Sequence, residues 1–401
     1  MHPLVVYLYF AINKISDGGR LLDSRVASFA KIKFNEYYRK AYIPISELSR
    51  REFGFGDFES KIVKRHISFR TFNEFKSYIL SDTPAFISVS TSIYRYPGAR
   101  PMEKKERVRS ELVFDIDSTD LNLKCQLEHG RSWVCSNCLD ATKEEVFKLI
   151  EDFLIPDFGV PADKITINFS GNRGYHVHVI DEEFMNLNAD ARKRVSDYIT
   201  GKGITLSRFF PNIDAPKKQL RGPKPDDAGW GGRIARGMIS ALNSGEDKLV
   251  SLGIEKPLAR KLLRSKADVI MGITTGNWDK VNLPKKAEVW NSILKAMSIS
   301  QTTFIDKNVT SVMDHLLRVP NTIHGDTGLI SKSVESIKAL ENFDPMKEAV
   351  LFRGGTVAVH VTESPVLAIG GSSFGPYKDK NVELPTYAAL YLMLKRVAVF
   401  Q

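Results

Sequence analysis

The run SELVFDIDST, residues 110–119, places two aspartates one residue apart in an otherwise apolar stretch. Successive side chains of a strand point to opposite faces, so Asp115 and Asp117 share one face while Leu112, Phe114 and Ile116 share the other. One face must therefore meet a core. The other must meet water or a cation, because like charges buried alone carry a heavy desolvation penalty. Two readings are open for the pair. DSTD (117–120) is good turn chemistry, so the strand can simply end in a turn. Alternatively, both carboxylates hold Mg²⁺ or Mn²⁺, hard cations that take oxygen ligands. Phosphoryl and nucleotidyl transfer commonly uses two such ions, one at the attacking oxygen and one at the leaving group. A third carboxylate is then needed, with Asp306, Asp314 and Asp326 as candidates. TTFIDKNV (302–309) puts Asp306 at the end of an apolar, β-like run.

The three cysteines all fall between residues 125 and 138. A disulfide framework uses an even number spread along the chain. Here the spacing is Cys125-x3-His129-x5-Cys135-x2-Cys138, three thiolates and an imidazole suited to tetrahedral zinc. Four protein ligands leave no open position, so the expected role is structural. The site follows the FDID strand closely and would pin the loop beside it.

Charge is uneven. The chain carries 57 Lys+Arg against 47 Asp+Glu, a balance that favours a polyanionic partner. Between residues 181 and 305 lie 21 basic against 14 acidic residues. Segments such as ADARKRVSDYIT (189–200) and KPLARKLLRSKADVIMGI (256–273) have helical periodicity there, while 214–237, rich in Pro and Gly, reads as an exposed loop. The reading is a helical, basic insertion over 181–300 within an α/β domain made of 1–180 and 301–401, with a zinc knob at about 120–140. In that domain the pattern predicts a helix from about residue 24, followed by a turn before residue 50. Strands are expected at 86–96, 110–117 and 164–180, the last span broken into two by the turn SGNRG. TKEEVFKLIEDFLIPDFG (142–159) reads as a helix capped by Thr142, and a closing helix is expected over 385–400. The N-terminal MHPLVVYLYFAI is apolar, but it lacks a basic flank and a small-residue cleavage site. No later run reaches the ~18 apolar residues of a membrane span, so the chain is expected to be intracellular.

Two further segments bear polar groups at turns. Ser170-Gly171-Asn172-Arg173-Gly174 offers backbone N–H groups, a hydroxyl and a guanidinium to a phosphate, although an ordinary hairpin explains it equally well. His176 and His178 then share a face, as phosphate-binding groups, satisfied core histidines or a zinc pair. HLLRVPNTIHGDTGL (315–329) joins Arg318 to His324 and is locally readable as a helix ending in a turn.

Together, REFGF (51–55), RHISF (65–69), SVSTSIYRYPGARPMEKKE (88–106), SELVFDIDSTDL (110–121), the cluster ending CSNCLD (135–140), NFSGNRGYHVHV (168–179) and FIDKNVTSVMDHLLRVPNTIHGDTGL (304–329) occur in one order. That series resembles the small, catalytic subunit of archaeal and eukaryotic DNA primases, over about 36–180 and from 300 to the C-terminus. The resemblance implies an α/β (α+β) primase-polymerase catalytic fold with a zinc-binding knob and a smaller helical subdomain. It implies that Asp115, Asp117 and Asp306 bind Mg²⁺ or Mn²⁺, and that Ser170, Arg173 and His176 form a triphosphate-binding turn. Arg318 and His324 would contact the incoming nucleotide, Arg51 would lie near the active site, and Cys125, His129, Cys135 and Cys138 would hold Zn²⁺. Asn172 departs from the eukaryotic members, which carry an arginine there. The implied activity is template-directed primer synthesis on single-stranded DNA from NTPs or dNTPs, beside a large regulatory subunit in a heterodimer. A repair or plasmid polymerase that extends primers, and a non-catalytic zinc-containing nucleic-acid-binding module, are the alternatives.

Overall fold

The computed structural model describes residues 21–213, 219–280 and 286–401. The apolar N-terminal run lies outside them. Asp23 opens the first helix, Ser24–Lys40, by accepting hydrogen bonds from the N–H groups of Arg25 and Val26. Its stripe of Val26, Ala30, Phe34 and Tyr38 repeats every four residues and is buried.

The chain divides into two compact units. The first comprises the described residues of Met1–Glu144, Asp163–Ala189 and Asn308–Gln401, the second Glu145–Ala162 and Asp190–Lys307. Strands run in the order β1 (Phe53–Gly56), β2 (Lys64–Ile67), β3 (Phe86–Ser90), β4 (Ser92–Tyr94), β5 (Arg107–Ser110), β6 (Leu112–Asp117), β7 (Ile165–Phe169), β8 (Gly174–Val179), β9 (Leu316–Arg318), β10 (Lys332–Val334), β11 (Thr356–Ser364), β12 (Leu367–Ile369), β13 (Ser372–Phe374), β14 (Tyr377–Pro385) and β15 (Ala398–Phe400). All belong to the first unit, where they form antiparallel sheets ordered β2-β1-β3-β9, β10-β7-β8-β6 and β14-β11-β15, plus two hairpins. With the helices this makes an α+β fold.

The β2-β1-β3-β9 sheet buries an aromatic layer. Phe53 lies 5.1 Å from Phe69 and 5.2 Å from Phe75 between ring centroids, with Phe34, Tyr38 and Ile79 in the same core. The second unit is helical around Phe210, Ile234, Met238, Leu242, Trp278 and Trp290. Among the described residues no helix is long and apolar enough to cross a membrane.

Several local expectations are corrected. The exposed loop read over 214–237 gives way to a helix at Gly229–Ser244. Trp230, Ile234, Met238 and Leu242 are buried there, and packing of an apolar stripe overrides the weak propensity of four glycines. Thr142 caps nothing: the helix starts at Ser136, and the buried Thr142 hydroxyl donates back to the Cys138 carbonyl at 2.7 Å. Residues 316–318 are strand β9, paired with β3, in place of a helix. The last helix stops at Leu394, and residues 398–400 return as β15 beside β11.

Candidate active site

β6 and β8 pair with Asp115 opposite His176, Asp117 opposite Gly174, and Val113 opposite His178. β7 sets Asn168 opposite His176 on the far side. One face of this sheet therefore carries Asp115, Asp117, His176, His178 and Asn168. The other carries Leu112, Phe114, Ile116, Ile167, Phe169, Tyr175 and Val177, all nearly fully buried. Gly174 is required by this register. A Cβ there would come within 2.2 Å of the Ile116 carbonyl oxygen.

The aspartates keep different company. His176 Nε2 stands 3.7 Å from Asp115 Oδ1. Asp117 Oδ1 accepts from the Thr119 N–H (2.9 Å) and hydroxyl (2.8 Å), and its Oδ2 faces the Arg173 guanidinium at 3.5 Å. Burial, with the nearby His178, Arg318 and Lys61 charges, pushes His176 down to about 3. At neutral pH its imidazole is therefore uncharged. The face then carries two half-exposed carboxylates, whose hard oxygen donors fit a divalent cation such as Mg²⁺ or Mn²⁺.

The 170–174 turn closes β7 onto β8: Ser170 N–H donates to the Gly174 carbonyl, and Gly174 N–H to the Ser170 hydroxyl. The segment after β9 packs on it. Gly171 has a φ of +84°, and an added Cβ would lie 2.9 Å from His324 Cβ, while Thr327 Oγ1 donates to the Gly171 carbonyl at 2.6 Å. His324 sits edge-on to Phe86 at 5.2 Å, and the Arg318 guanidinium covers the same ring at 4.7 Å. Burial and the Arg318, Lys61, Lys395 and Arg173 charges hold His324 well below its usual range. Burial lowers Arg318 to about 10, which still leaves it charged at neutral pH.

Arg51 is turned inward. Its guanidinium bonds the Ser46 carbonyl and hydroxyl and the Ser90 carbonyl, and forms a short ion pair with Glu111. Glu111 in turn takes His178 Nδ1 at 2.7 Å. Burial would raise the Glu111 carboxyl, but the His178 hydrogen bond and the Arg51 charge overcome it and bring it to about 2. This Arg51–Glu111–His178 chain escaped the sequence reading. The signal was present in the alternation, since Glu111 stands four residues before Asp115.

Asp306 lies in the second unit, half-buried, just before the helix Lys307–Ser311. Residues 302–306 form no strand. The Thr303 hydroxyl and the Phe304 N–H both bond the Glu145 carboxylate, so this backbone is satisfied by a side chain instead of a ladder.

Cys125, His129, Cys135 and Cys138 bring their ligand atoms within 4.8 Å of one another. Cys138 Sγ is 3.5 Å from Cys125 Sγ, 3.8 Å from Cys135 Sγ and 3.5 Å from His129 Nε2. Tetrahedral bonds of ~2.3 Å to zinc would set sulfurs ~3.8 Å apart. His129 Nδ1 faces the Gly130 carbonyl at 2.7 Å, which leaves Nε2 for a metal. The cluster can hold zinc. The knob also touches the segment just after β6 and the 170–174 turn: Gln126 Nε2 donates to the Ser118 carbonyl, and Arg173 donates to the Arg131 carbonyl.

Comparison with known proteins bears on the family. Residues 114–336 match the model of the DNA primase small subunit family. The chain is 33% identical to the DNA primase small subunit PriS of Methanothrix thermoacetophila, with 94% of this chain and 99% of that protein aligned. It is 31% identical to that of Methanococcoides burtonii (94% and 100%) and 34% identical to that of Archaeoglobus fulgidus (92% and 96%). The chain belongs to the DNA primase small subunit family.

Proposed function

We propose that this nucleotidyltransferase joins nucleoside triphosphates on a single-stranded DNA template and extends the product as a primer. The observation that carries the reading is the β6–β8 register, which sets Asp115 and Asp117 beside the 170–174 turn on one polar face. Asp115 and Asp117, with Asp306 as third carboxylate from its sequence context, would hold Mg²⁺ or Mn²⁺. Bound there, such ions supply activation of a 3′-hydroxyl and neutralisation of departing pyrophosphate. Arg173 and Arg318 provide fixed positive charge for the triphosphate. Uncharged His176 and His324 provide hydrogen bonds, and Ser170 with its neighbouring N–H groups shapes the turn around a phosphate. Arg51 acts one step back, holding Glu111 and through it His178. The Cys125, His129, Cys135 and Cys138 cluster holds structural Zn²⁺. Family membership supports a large regulatory subunit as partner and an intracellular setting. The basic surface suits a template bound by its backbone, with strong salt dependence.

The test is synthesis on unprimed single-stranded DNA with labelled NTPs or dNTPs, in Mg²⁺ and in Mn²⁺. De novo products support a primase. Extension of supplied primers alone would indicate a repair-type polymerase. Asp115→Ala is expected to abolish synthesis while leaving folding and zinc content unchanged, and near-normal products from that variant would refute the assignment.

A further inference from the structure

The 170–174 turn contains one cation, Arg173. That guanidinium is already divided between Asp117 and the Arg131 carbonyl. His324 beside it is held well below its usual range by burial and neighbouring cations. A nucleoside triphosphate is a polyanion, and one divided guanidinium with Arg318 is a thin complement for it. More positive charge comes from distant parts of the first unit.

A cleft of about 1600 Å³ opens from the turn, lined by Asn172 and Arg173 together with Lys61, Trp133, Lys378 and Lys395. Lys395 follows the last helix and reaches the turn directly. Its Nζ lies 3.5 Å from Asn172 Oδ1 and 2.9 Å from the Ser132 carbonyl. The same Nζ stands over Tyr391, 5.6 Å from the ring centroid, and Lys395 lines the cleft. Among the described residues Lys61 makes no ion pair. The acids of the cleft are Glu128, Asp326 and Glu363.

We propose that Lys395 is a phosphate-binding residue of the nucleotide site, the cation that the turn lacks at Asn172. The inference rests on the nucleotide-polymerising reading above. Lys395 exchanges its contact with Asn172 for a phosphate oxygen of the incoming triphosphate, and Lys61 adds longer-range attraction.

The experiment measures ATP affinity of the full chain by titration calorimetry, alongside KM and kcat for primer synthesis and zinc content. Lys395→Ala should weaken ATP binding and raise KM about tenfold, the scale of one charge-assisted hydrogen bond, with kcat within about threefold. Lys395→Arg should stay within about threefold of wild type. The deciding variant is Asn172→Arg combined with Lys395→Ala. It restores a charge at the turn but not the Ser132 contact, so recovery of ATP affinity supports phosphate binding. Unchanged affinity in Lys395→Ala overturns the proposal, as does a loss that Asn172→Arg fails to rescue while zinc content falls. A wild-type chain that binds ATP and responds to these variants, yet makes no primers, would fault the polymerase reading and leave Lys395 standing.

Discussion

Replacing Glu111 by glutamine removes one charge from the polar side of the β6 sheet and leaves the volume unchanged. Glu111 is buried with Arg51 on one side and His178 on the other. Arg51 also bonds the Ser90 carbonyl at the end of β3, so the pair ties the β1–β3 sheet to the strand that carries Asp115. The gap between the ordinary carboxyl value of 4.5 and about 2 in the fold corresponds to at most ~3 kcal/mol of stabilisation at neutral pH. Loss of one member of a buried pair falls in the same range. The folded value lies below the unfolded one, so this contribution is complete above pH 4.5 and is lost as the pH falls toward 2.

Glu111→Gln should therefore lower stability by ~2–3 kcal/mol at pH 7, and the difference from wild type should shrink by pH 3. Urea unfolding at the two pH values, with hydrogen exchange read at the Leu112–Asp117 amides, localises the effect to β6. Primer synthesis should fall as well, because glutamine offers one acceptor oxygen where the carboxylate gives one to Arg51 and one to His178, so the two cannot both keep theirs. A Glu111→Gln protein within ~0.5 kcal/mol of wild type at pH 7, or one that keeps the wild-type loss of stability between pH 4.5 and 2, would refute the reasoning.

Two other outcomes follow from the same geometry. With zinc bound at Cys125, His129, Cys135 and Cys138 as proposed, its chelation should loosen the Arg131 carbonyl that holds Arg173, raising KM for nucleotide; Trp133, 6.2 Å from Tyr391, should report the change in fluorescence. His176 has a folded value near 3 against 6.5 unfolded, so the stability it contributes is present above pH 6.5 and is lost as the pH falls toward 3. His176→Gln should flatten the wild-type decline over that window in urea titrations.

The strands around FDID and SGNRG are legible because a continuous apolar face recurs every second residue along each, and the Cys/His cluster because metal ligation demands close spacing. The misreadings have physical causes. Asp306 looked like a strand end because Phe304 and Ile305 are apolar, yet the Phe304 N–H goes to the Glu145 carboxylate, a partner 159 residues away in sequence. HLLRV has no helical stripe to bury and completes a sheet through Ser88 opposite Arg318. The glycines of GWGGRIARGMIS argue against a helix, and tertiary packing of Ile234 and Met238 overrides them. Lys395 gave no local signal, since its relation to Asn172 is set by where the last helix ends.

Register is what converts these residues into a site. Side chains alternate with a period of two, so a one-residue slip of β6 against β8 would exchange its faces. Asp115 and Asp117 would then point at Phe169, Tyr175 and the ring of Phe343, which stand 5.7–6.4 Å apart as a closed aromatic group. Burying two carboxylates there would cost several kcal/mol each, while Phe114 and Ile116 would be left on the polar side. Gly174 adds a steric criterion, because the approach of Ile116 opposite it excludes any side chain at that position. The apolar face thus selects the pairing that assembles the aspartates with His176 and the 170–174 turn. Destabilising that face should lower activity through register as well as through stability.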